Sequence, residues 1–341
     1  MKKHLIAAGV VAAFAAPAMA QNVSVYGIVD VNYQYQDVDN GTGNTAMSQS
    51  GLATSRLGFR GSEDLGGGLK AEFQLEGKLV NSDGQVGTTS TDTLFDRESW
   101  VGLSGAFGAI RLGLSDVSDS VNIDAKVSQI GDFGLITELS TDKKKVIRYT
   151  TPNFNGLSAQ VGYASPDSSV SSVTGAVTEA TNNSISNLYI AYEKGPLGVY
   201  AGFENKKISA SYDQSQTNIG AKYDFGAFSV GLVYSTRDGV GTGSTSAPYN
   251  AAAASGDKDY KQYVLSVAAP LGNGFKAHAA YQNRDLGGAD TSLADFRTIT
   301  LAVTKAMSKR TTAYGAIVDK SYDLTSDPDN KTVILGVTHS F

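Results

Sequence analysis

The chain has 341 residues, no cysteine, and 33 acidic against 28 basic residues, a formal net charge of −5. Without cysteine it holds no disulfide, so its stability rests on backbone pairing and packing. The acidic balance disfavours a nucleic-acid partner.

Residues 1–20, MKKHLIAAGVVAAFAAPAMA, begin with Lys2 and Lys3, continue through an apolar core and end in Ala18-Met19-Ala20. That is the pattern of a secretory signal peptide with a small-residue cleavage site, and it makes Gln21 the first mature residue. The apolar core is shorter than the ~20 residues a membrane helix needs, and later runs such as VLSVAAPL are shorter still. The mature chain, 21–341, is read as one domain.

From residue 23 onward the chain alternates with period two, the mark of strands with two unlike faces. In VSVYGIVDVNYQY, Val23, Val25, Val29, Val31, Tyr33 and Tyr35 share one parity; Ser24, Asp30, Asn32 and Gln34 take the other. In LKAEFQLEGKL, Leu69, Ala71, Phe73, Leu75 and Leu79 oppose Lys70, Glu72, Gln74, Glu76 and Lys78. Ile110, Leu112 and Leu114 oppose Arg111 and Ser115, and at the end Val333, Leu335, Val337, His339 and Phe341 oppose Thr332, Thr338 and Ser340.

Two kinds of connection separate these runs. Seven are short and rich in Gly, Pro or Asn: GSEDLGGG, SGAFG, TPNFNG, EKGPLG, DFGAF, APLGNG and MSKR. Such residues supply turn geometry. Eight are longer and polar, near residues 38–52, 81–93, 116–143, 165–184, 206–216, 238–257, 286–294 and 322–331. The alternation predicts sixteen antiparallel strands with all tight turns at one end of the sheet and all long loops at the other.

Amphipathic strands in this number form either a soluble sheet with a dry core or a membrane barrel with a wet one. Strands of roughly ten residues suit a tilted crossing of the hydrocarbon. The polar parity is often charged. The 17 tyrosines fall often near strand ends, among them Tyr33, Tyr35, Tyr163, Tyr189, Tyr192 and Tyr223, and Trp100 is assigned to the outward parity. Collectively these suggest the aromatic girdles of a transmembrane barrel. An unpaired edge in hydrocarbon costs several kcal/mol per orphan group, so the first and last strands must pair. A closed cylinder of sixteen strands is too wide for side chains to fill, so it holds water. The fold is therefore read as an all-β, sixteen-stranded antiparallel transmembrane β-barrel. A secreted soluble β-sandwich is the competing reading.

Four stretches carry a resemblance over the whole chain: SVYGIVDV, SRLGFRGSEDLGGGLKAEFQLE at 55–76, SWVGLSGAFGAIRLG at 99–113 and the terminal GVTHSF. With these the chain resembles the general diffusion porins of Gram-negative outer membranes, especially the betaproteobacterial branch. The resemblance implies a homotrimer of barrels in the bacterial outer membrane. It also implies an inward-folded third loop, which here is 116–143, and a constriction where basic wall residues oppose acidic residues of that loop. Arg56 in RLGF, Arg97 in RESWVGL and Arg148 in IRYTTPNF match the family's basic positions, the last approximately, and Arg60 and Arg111 share the inward parity of their strands. The acidic candidates are Asp116, Asp119, Asp124 and Asp132; GDFG keeps Asp132 before Phe133-Gly134 but lacks the family's preceding proline. Phe341, on the parity of His339 and Val337, resembles the C-terminal signal read by the outer-membrane assembly machinery.

The function this implies is passive diffusion of ions and small hydrophilic solutes, with outer-membrane lipids and lipopolysaccharide as surroundings. Opposed charges at the waist set ionic selectivity. A substrate-specific channel with a solute-binding site would show the same parity and stays open. An enzyme is disfavoured: no HExxH motif, cysteine nucleophile or GxSxG elbow occurs. The reading calls for no metal, no cofactor and no catalytic residue.

Overall fold

A computed structural model of the chain describes residues 23–341 apart from 40, 42, 50, 81–84, 87–93, 117–120, 132, 134–142, 166–168, 171–176, 179–183, 210–211, 239–259, 287–294 and 324–328. The segment 1–20 thus lies outside the described residues.

Sixteen strands form the wall: β1 Ser24–Val38, β2 Arg56–Gly66, β3 Leu69–Val80, β4 Glu98–Gly105, β5 Gly108–Asp116, β6 Lys143–Thr150, β7 Leu157–Ala164, β8 Ile185–Lys194, β9 Leu197–Ser209, β10 Tyr212–Asp224, β11 Ser229–Asp238, β12 Tyr260–Gly272, β13 Phe275–Leu286, β14 Phe296–Ala306, β15 Thr311–Tyr322 and β16 Asn330–Ser340. Each pairs antiparallel with its neighbour in sequence. β1 closes the cylinder on β16, from Ile28↔Ser340 to Val38↔Asn330. Beyond the last strand, Phe341 N–H donates to Gly27 O and Gly27 N–H to Phe341 O. Among the described residues the wall has no open edge, as hydrocarbon requires.

The parity expected from the sequence orders the two faces. Val25, Val29, Tyr33 and Tyr35 are exposed on β1, while Asp30 and Asn32 between them are buried. Val101, Leu103, Ile110, Leu112, Ile147, Leu232, Leu265, Leu301, Leu335 and Val337 extend that exposed row around the cylinder. Exposed apolar side chains on one continuous face belong in lipid, not water. Among the described residues no helix is long and apolar enough to cross a membrane; the strands cross instead.

The tight turns fall where Gly, Pro and Asn cluster. Gly66, Gly67 and Gly68 all have positive φ, at 87°, 61° and 80°. Three successive left-handed residues are tolerable only without a Cβ, which lets β2 and β3 turn more tightly than the whole GSEDLGGG run suggests. The expected long loop at 206–216 is a correction. β9 runs to Ser209 and β10 starts at Tyr212, so the connection is a hairpin. The ladder continues where both faces are polar, and period-two patterning disappears there although backbone pairing does not.

Two aromatics expected in the outer girdle point inward. Trp100 is 8% exposed and lies in register with Gln74 and Gly113 on the polar parity. Tyr189 is also buried, in an inner cluster with Ala191, Tyr200, Val233 and Val264. Tyr33, Tyr35, Tyr163 and Tyr223 are exposed on the outer face.

β1 changes partner midway. It pairs with β2 as far as Ile28, then from Val31 with the short strand Asn44–Gln49. Between these partners, the carboxylate of Asp30 accepts the N–H groups of Gly51, Leu52 and Ala53 at 3.0–3.1 Å. It also accepts the hydroxyl of Tyr314 at 2.5 Å. The segment 51–55 is thereby drawn to the inner face.

Candidate pore constriction

Two groups of arginines stand on the inner face of β2–β6. Arg97 Nε sits 2.6 Å from Glu76 Oε1, and an Arg56 guanidinium nitrogen lies 3.8 Å from the same oxygen. Tyr26 donates its hydroxyl to the other oxygen of Glu76 at 2.8 Å. Glu76 is 5% exposed, and the hydrogen bonds from Arg97 and Tyr26 with the nearby Arg56 charge compensate its burial. Arg97 precedes β4 by one residue, and its N–H extends the ladder by donating to Glu76 O. The second group lies deeper along the wall. Arg111 on β5 is in direct register with Arg148 on β6. Arg111 also lies 4.1 Å over the Trp100 ring, a cation–π contact of ~0.5–2 kcal/mol. Arg60 lies 5.0 Å over the Tyr26 ring. The structure thus brings all five candidate arginines onto neighbouring strands of one wall.

The connection between β5 and β6 contains a short helix, α1 Val121–Val127. α1 packs on β9, β10 and β11. Ile123 and Val127 join the inner cluster of Tyr189, Tyr200, Val233 and Val264. Two wall glycines make this approach possible: a Cβ on Gly220 would strike Ile123 and Val127, and one on Gly231 would strike the Val127 carbonyl. Further along, Gln129 N–H donates to Ser266 Oγ, and Ser229 donates to Gln129 Oε1. His278 Nδ1 faces the Gln129 carbonyl, which can only accept, so Nδ1 carries the proton; Nε2 meets Thr304 Oγ1 at 3.0 Å. Ile130 and Phe133 pack with Ala280, Ala302, Tyr314, Ala316, Val318 and Ile334, with Leu52 against them. The described part of the segment therefore follows the inner face from β9 to β16.

Strand order gives the relation between the two. In a closed cylinder of sixteen strands each strand stands across from the one eight places on, so β2 faces β10 and β6 faces β14. The arginine wall faces the wall that α1 and residues 129–131 and 133 cover.

The acidic candidates are placed less favourably. Asp124 is 2% exposed and neither carboxylate oxygen has a hydrogen-bond partner. Burial pushes its pKa up to about 7. It is packed away rather than presented to open lumen. Asp116 ends β5, its backbone in register with Lys143, but its side chain lies outside the described residues, as do Asp119 and Asp132. Phe341 stands on the outer face over Gly27, where any Cβ would collide with its ring.

Sequence reasoning missed Glu76 as the acid that holds two of the arginines, and Asp30 as the tether of segment 51–55. Glu76 was visible as an inward-parity acid, but nothing in the spacing brings Arg97 to it.

The profile of the Gram-negative porin family matches residues 7–325. The chain belongs to the Gram-negative porins. This porin is 33% identical over 333 residues to outer membrane porin protein 32 of Delftia acidovorans, covering 92% of this chain and 88% of that protein. It is 28% identical to an outer membrane porin protein of Bordetella pertussis over the full length of both. Among solved structures it is similar to an anion-selective porin from Comamonas acidovorans, with a TM-score of 0.77 and 27% identity over 94% of this chain and all of that one. As a porin of this family it is a bacterial outer-membrane β-barrel, and its cylinder is a diffusion channel.

Proposed function

We propose that the porin passes ions and small hydrophilic solutes through a waist bounded by Arg56, Arg60, Arg97, Arg111 and Arg148 on one side and the 116–143 segment on the other, with a preference for anions. The observation that carries this reading is the position of the five arginines on or next to strands that face the wall covered by α1 and by residues 129–131 and 133. The likeness to the anion-selective porin from Comamonas acidovorans supports the same sign. Asp116, Asp119 and Asp132 supply the acidic side, without the buried Asp124.

Opposed charges across a narrow waist set a transverse field that orients polar solutes, while screening over ~8 Å weakens charges farther away. Replacing Arg56, Arg97 and Arg148 together with glutamine tests this. In a planar bilayer under a salt gradient, the wild type gives an anion-side reversal potential and the triple variant moves toward cations. An unchanged reversal potential removes those arginines from the waist.

Removal of residues 1–20, assembly as a homotrimer, contact with lipopolysaccharide, and the reading of Phe341 by the assembly machinery belong to the same proposal. Deleting Phe341 should lower the assembled fraction in outer-membrane extracts, since the terminal residue also completes the pairing with Gly27.

A further inference from the structure

Beneath α1, on the side of the short turns, lies a cavity of about 730 Å³. Three lysines from three separate elements line it: Lys126 from α1, Lys222 from β10 and Lys276 from β13. Lys222 and Lys276 share the inward parity of their strands with Gly220 and with His278. The uncharged Gln129 and Ser229 also line it and bond to each other at 2.7 Å, and the carboxylate of Asp224 lines it as well.

Two acids nearby, Glu193 and Asp224, offset part of this charge and leave the three ammonium groups in excess. Glu193 accepts the Tyr200 hydroxyl at 2.6 Å, lies 3.8 Å from Lys222, and its charge acts on both Lys126 and Lys222. Asp224 accepts the Gly226 N–H of its own turn. Lys126 lies 5.7 and 5.8 Å from the Tyr189 and Tyr200 ring centres. Those rings hold the ammonium in place without neutralising it. Among the described residues, Lys126 and Lys276 have no carboxylate within ion-pair distance.

We propose that this cavity is a station for small oxyanions carrying two or more negative charges, placed in series with the arginine wall on the short-turn side. The inference rests on the diffusion-channel reading and adds to it a saturable site. Three ammonium groups set against two carboxylates around an open cavity hold a dianion better than a monoanion, because each charge pair adds separately. The chemistry is shared by dicarboxylates and by phosphate, and neither is favoured by the lining.

The test is ion-current block in planar bilayers with the porin inserted in one orientation. Succinate, inorganic phosphate and, as the single-charge control, acetate are added to each side in turn. The wild type is blocked saturably by succinate or phosphate from the short-turn side and not by acetate. Lys126→Gln with Lys276→Gln raises the half-blocking concentration roughly fivefold. Both lysines are exposed, so the double variant assembles, and its chloride current verifies that. An unchanged half-blocking concentration, or equal block by acetate, overturns the station. Relief of block by the arginine variants alone moves the site to the waist, overturning the station and leaving the channel reading intact. A wild type that carries no current overturns both.

Discussion

On β2–β6 the inward side chains are long and charged, and they hold one another: Arg56 and Arg97 on Glu76, Arg111 on Trp100. On β10–β15 many inward side chains are small, Gly220, Gly231, Ala268, Ala280, Ala302 and Ala316, and they lie beneath a segment from elsewhere in the chain. One half of the wall is finished by its own charges, and the other is finished by a loop. The difference explains how sixteen strands of similar design enclose an asymmetric passage. Long side chains on both halves would leave α1 no seat, and small ones on both would leave no fixed charge.

The largest expected effect comes from removing that seat. Gly231→Val puts atoms where the Val127 carbonyl lies. Overpacking of this kind costs ~1–3 kcal/mol, and α1 must lift into the lumen to relieve it. Single-channel conductance should fall and its noise rise. Unchanged conductance would mean that α1 does not rest on β11.

Next comes the charged half. Glu76→Gln leaves Arg56 and Arg97 without their shared counter-charge, and losing one member of a buried pair costs about 3 kcal/mol. Thermal unfolding in detergent should shift down, while the reversal potential moves further toward anions. A shift toward cations would contradict the arrangement of the arginine wall.

A smaller effect separates the halves by pH. Asp124 is buried without a partner, and its pKa is raised from 3.8 to about 7. The folded state thus holds a proton that the unfolded chain has released, so burial of this side chain costs nothing below the ordinary pKa and most above the raised one. Packing of α1 weakens as pH climbs through that window. Open-channel noise should rise between those limits in the wild type and stay flat in Asp124→Asn. Equal pH dependence in both would place the titrating group elsewhere.

Much of the barrel was legible because a strand that separates lipid from water must alternate. Tyr33, Tyr35 and Leu335 could be assigned outward, and Arg56, Arg60 and Arg111 inward, on that ground alone. Trp100 reads as outward because its parity opposes that of Arg97, but Arg97 stands before β4 and outside its alternation, and within the strand Trp100 takes the inward parity opposite Val101 and Leu103. Its inward place is held by Arg111, a residue of the next strand. Tyr189 failed similarly, since its partner is a loop helix. The tether at Asp30 depends on Tyr314, 284 residues away, reaching across β16 over Gly336, and no local pattern announces that. The seat of α1 did leave a signal, the run of inward glycine and alanine on β10–β15. It reads as weak strand propensity until something is known to cover it.

The chain has no cysteine, which permits a direct test of where the segment between β5 and β6 rests. Ile123→Cys and Gly220→Cys, with Val127→Ala to clear the second side chain that a Cβ on Gly220 would strike, place two thiols where that Cβ meets the Ile123 side chain, within the reach of a disulfide. Mild oxidation of the folded, membrane-inserted protein should form the cross-link in full and leave the conductance within the wild-type range. A folded barrel in which the two thiols do not join, or in which joining them closes the channel, would show that α1 is not seated on β10 in the conducting state.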